Sequence, residues 1–141
     1  KSDYERLLKL APRSYNGRLG LATLEQKEGK YEAALSILNA MIAEKGEEAT
    51  RLTTQQYAVL YVARAGVEQD MKHVDLAMMD LEEAIKLDAS QTEAYLIRGQ
   101  IYLSQKKKER YYLSLFSAMF LIFIAKCVLG ITFSLFQKSS I

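Results

Sequence analysis

Cys127 and His73 carry the two side chains in this sequence best suited to nucleophilic or metal chemistry, a thiol and an imidazole. The chain has one residue of each type, so no internal disulfide can form, and their separation fits no familiar ligand spacing. His73 sits in the charged stretch "DMKHVD" and reads as a polar turn residue. The carboxylates, which in pairs could do acid and base work, scatter along the solvated sides of helical stretches instead of converging. No catalytic residue, metal site or cofactor is expected, and the chain does not read as an enzyme.

The charge balance narrows the partners. The net charge of +2 comes from the end of the chain: residues 111–141 contain Lys126, Lys138 and no acid, leaving 17 bases against 17 acids before them. A neutral, evenly mixed surface lacks the basic footprint that a phosphate backbone requires, which excludes nucleic acid as an expected partner. At 141 residues the chain suffices for one domain or a short array of small units. It starts at Lys1, which reads as a fragment or a processed product, with no signal peptide at that end.

The elements that must position any site are helices. Pro12 is the only proline, and residues 1–110 lack the alternation of β-branched residues that marks strands. In "YEAALSILNAMIAEK", Tyr31, Ala34, Leu35, Leu38, Met41 and Ile42 recur at steps of three and four and form one apolar stripe. Val74, Ala77, Met78, Leu81, Ala84 and Ile85 repeat that stripe 43 residues later. "YVARAGVEQDMKHVD" from Tyr61 and "YLIRGQIYLSQKKKE" from Tyr95 align without a gap at an interval of 34, matching Arg64 with Arg98 and Ala65 with Gly99. The nine surplus residues of the longer interval fall around "EKGEEATRL", suited to a loop or a lengthened helix.

A period of 34 built from helix, turn and helix resembles the tetratricopeptide repeat over about residues 4–108. The resemblance rests on Tyr61 and Tyr95 at the aromatic place, on the pairs Leu21-Ala22, Arg64-Ala65 and Arg98-Gly99, on Tyr102, on Ala34, Ala77 and Ala84, and on Pro12. Arg18 departs from the pattern at the aromatic place, and Glu25 and Glu68 at the tyrosine place. It implies an all-α fold, a right-handed superhelical stack of helix-turn-helix repeats followed by a C-terminal apolar helix. The expected organisation is a truncated repeat contributing its second helix (1–14), a repeat (15–48), an insert with a helix extension (49–57), a repeat (58–91), a partial repeat (92–110), an apolar helix (111–136) and a tail (137–141). Small residues at Ala22, Ala65, Gly99, Ala34 and Ala77 let paired helices approach, while Gly29, with Lys72 and Lys106 at its equivalents, makes the turn.

Binding of a protein or peptide partner is what the resemblance implies, since the first helices of this family line a concave groove. Carried onto this sequence, the groove positions are Asn16, Leu19, Thr23, Gln26 and Lys27, then Val59, Val62, Gly66, Gln69 and Asp70, then Glu93, Leu96, Gln100 and Leu103. A family subset clamps chaperone C-terminal carboxylates with basic and amide residues. Here those places hold Leu19, Thr23, Ala63, Glu93 and Ile97, so binding of a chaperone C-terminus is not expected. Arg64 and Arg98 read as packing residues whose stems lie along the helix interface.

After Arg110 the periodicity stops. Residues 111–136 hold a single charge, Lys126, and as one helix would reach roughly 39 Å, enough to cross a ~30 Å hydrocarbon core with tilt. The preceding "KKKER" would then keep the repeats in the cytoplasm. Three readings stay open at this point: a membrane anchor, a packed cap, and an unrelated ending on a truncated isoform or fragment of a longer repeat protein without binding activity of its own. The third unit, on this reading, lacks the second helix due there.

Overall fold

The computed structural model describes residues 2–44, 52–105, 110 and 112–124. The described residues are helical apart from short connections, and they fall into two compact units, Lys1–Gln91 and Thr92–Ile141. The first contains α1 (Ser2–Leu10), α2 (Tyr15–Lys27), α3 (Tyr31–Ala43), α4 (Thr54–Asp70) and α5 (Val74–Leu87). The second contains α6 (Thr92–Ser104) and α7 (112–124).

Local signals start and stop these helices. Ser14 Oγ accepts from Gly17 N–H at 3.2 Å and caps α2. Thr53 and Gln56 form a reciprocal capping box at 3.1 and 2.9 Å, so α4 begins at Thr54 and is four residues longer than α2. The two hairpins of the first unit turn in the same way. Gly29 lies at φ 75° and Lys72 at φ 66°. In each, the next N–H reaches back to the last helical turn: Lys30 to Glu25 O and His73 to Glu68 O, both 2.8 Å. This is the Schellman closure, and the lysine adopts the left-handed geometry that glycine takes cheaply. Replacing Lys72 by glycine is therefore expected to stabilise the fold by about 0.5–1 kcal/mol, the relief of strain exceeding the added chain entropy; an unchanged or lowered urea midpoint would contradict it. Lys106 lies outside the described residues.

Side chains reinforce the same closure. Glu68, almost buried, accepts from or pairs with His73 Nδ1 at 2.8 Å, and Glu25 stands 3.7 Å from Lys30 Nζ. The two carboxylates at the tyrosine places thus link each first helix to the start of the second.

The small residues lie where helices cross. Ala34, Ala65 and Ala77 are fully buried, and Ala22 nearly so. A core of Ala22, Leu38, Met41, Tyr57, Leu60 and Val67 joins α2 and α3 to α4, while α4 and α5 form the second hairpin. The α1 helix packs on α2 where Gly17 and Gly20 leave room; a Cβ at Gly20 would overlap the Tyr4 ring.

Arg18 Nη1 donates to both carboxylate oxygens of Glu44, at 2.9 and 2.8 Å. The bond from Arg18 holds the Glu44 carboxyl below its ordinary range against the opposing effect of burial. A depressed carboxyl contributes stability above its unfolded pKa and loses it as the pH falls through the folded one. Arg18→Gln should accordingly destabilise the chain at neutral pH, with the difference from the parent narrowing in acid below about pH 4.5, near the ordinary glutamate value. Urea titrations across that range check this, and a gap independent of pH would contradict it.

In the second unit, α7 occupies the place of a second helix. Ser114 Oγ donates to Tyr95 O at 2.8 Å, Arg98 Nε donates to Ser114 Oγ at 3.4 Å, and Ala118 is 1% exposed. Residues 112–124 are helical and stand against α6 through these contacts. The inner side of α7 needs only a serine and an alanine for close approach, and no periodicity shows them in an apolar run. Among the described residues no helix is long and apolar enough to cross a membrane. Residues 125–141, including Cys127 and most of the remaining apolar stretch, lie outside the described residues.

Candidate protein-binding face

Two first helices, α2 and α4, lie side by side in the first unit and touch. Gln26 Nε2 on α2 donates to Asp70 Oδ2 on α4 at 2.8 Å, a link between residues 44 apart in sequence. Gly66 lies beside it: a Cβ there would approach Gln26 Nε2 to 3.5 Å, ordinary contact. Thr23 turns its hydroxyl back to Leu19 O at 3.0 Å.

Around that link the candidate residues differ in access. Asn16, Thr23, Lys27 and Asp70 are exposed, while Leu19, Gln26, Val59, Gly66 and Gln69 are half-buried. Leu19 also packs against the core cluster. Val62, at 5% exposed, belongs to the packing and offers a ligand almost nothing. Glu93, Leu96, Gln100 and Leu103 lie on one side of α6, spaced by three and four, and all are exposed. Of the α2 and α4 sets, the structure brings Gln26, Gly66 and Asp70 together within one unit. At the places of the carboxylate clamp, Thr23 and Glu93 are exposed and Leu19, Ala63 and Ile97 half-buried.

The strongest polar constellation is structural. Arg64 donates through Nε and Nη2 to both oxygens of Asp80 at 2.7 Å, and through Nη1 to Asn39 Oδ1 at 2.7 Å. Asp80 is 7% exposed. The bond to Asp80 raises the Arg64 pKa further, outweighing burial. Arg64 also lies 5.4 Å from the Tyr61 ring centroid, as Arg98 lies 5.1 Å from that of Tyr95. Both arginines make contacts within the repeats, with a polar role that spacing alone does not show. Among the described residues no group of acids, histidine and cysteine could hold a metal ion.

No protein-family model matches the sequence, and neither does any curated protein. Among solved structures the chain matches the second TPR of Spaghetti (RPAP3) bound to the HSP90 peptide SRMEEVD, with a TM-score of 0.61 and 22% identity, over 76% of this chain and 91% of that one. The fold is that of tetratricopeptide repeats. A second match, to the crystal structure of MamA, has a TM-score of 0.49 and 16% identity, over 87% of this chain and 86% of that one. The tetratricopeptide fold accounts for the doubled Schellman turns, for the buried alanines at each crossing, and for helices paired in sequence order.

Proposed function

We propose that this chain is a non-enzymatic scaffold that binds an extended segment of a partner protein along the first helices of its repeats. The observation that carries the reading is the contact between α2 and α4: Gln26 bonds to Asp70 across it, Gly66 lies beside that bond, and Leu19 and Val59 on the two helices are half-exposed. A strip of this kind, apolar contacts edged by amides and single charges of both signs, suits a peptide that supplies a few apolar anchors and backbone hydrogen bonds. Nothing in it resembles a reaction centre, because the near-buried acids Glu25, Glu68 and Asp80 stand with Lys30, His73 and Arg64.

The partner on this proposal is not a chaperone C-terminus. A carboxylate-rich end such as SRMEEVD, which the similar Spaghetti domain binds, would find Leu19, Thr23 and Ala63 in the first unit at places where the resemblance calls for donors, and in the second unit Ile97 and an acid, Glu93, at such places. Selection from a library of displayed peptides, with SRMEEVD included as a fixed sequence, tests both halves. Enriched peptides should lose at least about tenfold in affinity against Leu19→Glu or Val59→Glu, and little against Ser36→Glu on the outer side of α3. SRMEEVD should show no saturable binding below about 100 μM, weaker than the ~−5.5 kcal/mol that value represents. Tight, salt-sensitive binding of SRMEEVD, or enriched peptides indifferent to Leu19 and Val59, would contradict the proposal.

A further inference from the structure

The side of α7 that faces away from its hairpin is out of keeping with the other second helices. Ser114 and Ala118, four residues apart, are the buried side. At 100° per residue, Tyr112, Phe116, Met119 and Phe123 lie on the opposite side, with Leu113 and Phe120 along one edge. Tyr112, Leu113, Phe116 and Phe123 are 65%, 72%, 69% and 65% exposed.

The repeat register supplies an internal control. Shifting back by 34 places Leu113, Phe116 and Phe120 at Met79, Glu82 and Lys86 of α5, and a further 43 places them at Ser36, Asn39 and Ala43 of α3. All six of those residues are exposed. At these three positions the first two helices carry polar or small residues except for Met79, and α7 carries apolar ones; at Tyr112 and Met119 the repeats instead agree, since Met78 and Ile85 of α5 and Leu35 and Ile42 of α3 are apolar and half-buried. Four aromatic side chains of about 150–250 Å² each, half or more exposed, put roughly 400–500 Å² of apolar surface on one side of α7. That is within the ~300–600 Å² of the largest patch on a typical monomer, which is often a functional surface.

Charge identifies what covers it. Residues 106–141 carry six bases and one acid, whereas residues 1–105 carry 13 bases and 16 acids. Two copies meeting stripe to stripe would bring like charge together, while an anionic lipid surface is complementary to it. Arg110, exposed and 5.8 Å from the Tyr102 ring centroid, stands at the start of the stripe. We propose that the outer face of α7 docks on an anionic lipid surface and lies in the headgroup interface, not across the bilayer. Spanning is disfavoured because Ser114 and Ala118 are held in the hairpin: the residues after Ala118 as far as Phe136 would extend roughly 27 Å as a helix, short of a ~30 Å core, with Lys126 within them. An interfacial helix needs only an apolar side rich in Phe and Leu together with nearby bases.

Co-sedimentation of the full chain with phosphatidylcholine vesicles, with and without about a third phosphatidylserine, tests this. The chain is expected to pellet with the anionic vesicles, to be released by high salt or alkaline carbonate, and to bind at least about tenfold more weakly as the Phe116→Ser/Phe120→Ser double variant. Phe116→Leu/Phe120→Leu should retain binding, as should Met79→Ser on α5, and circular dichroism should show both double variants helical. Failure to pellet, salt-insensitive binding equal on neutral vesicles, or resistance to alkali would each overturn the proposal. So would a dimer in sedimentation equilibrium that the serine variant abolishes without any vesicle binding, which would assign the stripe to a second copy.

Discussion

An Arg64→Ala chain is expected to lose about 2–4 kcal/mol of stability, among the largest effects of any single polar substitution here. Asp80 is the reason. Its carboxylate is 7% exposed and takes two charge-assisted bonds from the guanidinium at 2.7 Å, so removal of Arg64 strands a desolvated charge. The arginine side chain is itself 23% exposed, which keeps the expected loss below that of a fully enclosed pair. It also joins two repeats, since Asn39 on α3 accepts from the same guanidinium that holds Asp80 on α5. Asp80→Ser should cost less, because the arginine left behind can turn toward water, and because Ser114 already stands at that place opposite Arg98 in the next unit. Urea titration of the three chains gives the order; an Arg64→Ala loss below that of Asp80→Ser would contradict this assignment of roles.

The second large effect belongs to Leu60. It is fully buried in α4, in the cluster that joins the first hairpin to the second. Leu60→Ala removes three carbons from a site enclosed by α2, α3 and α4, and should cost about 2–5 kcal/mol, depending on how far the cavity collapses. In a repeat array each unit is stabilised chiefly by its neighbours, so loss at this joint should uncouple the hairpins as well as weaken them. A single unfolding transition in the parent that broadens or divides in Leu60→Ala would show that uncoupling. A loss under 1 kcal/mol, set against the ~5–15 kcal/mol of a typical domain, would show that the joint lies elsewhere.

Much of this architecture was readable in the sequence because repetition amplifies weak signals. The stripes beginning at Tyr31 and Val74, the alanines at the crossings and the turn at Gly29 each occur twice, and the positive φ of Lys72 follows from its register with Gly29. Glu25 and Glu68 looked like departures from the tetratricopeptide pattern; a carboxylate that reaches the residue after the turn gives them a physical role that tyrosine fills differently. Features that depend on a single residue were harder to read. Val62 falls at a groove position by repeat register, and nothing in that register shows that α4 turns it inward among half-buried neighbours such as Tyr61 and Ala63. Gln26 and Asp70 both fall at groove positions by register, yet nothing in spacing pairs two polar groups on separate helices. The α7 hairpin was hidden for the opposite reason, since its inner contacts are small residues within a stretch apolar on every side.

The central claim, that a partner lies along the first helices, is most directly tested by mapping a selected peptide onto the isotopically labelled chain by amide chemical shifts. The account predicts that perturbations concentrate in Asn16–Lys27 and Val59–Asp70, with the Gln26 side-chain amide among the most shifted. Perturbations confined to α3 and α5, with α2 and α4 unmoved at saturation, would contradict it.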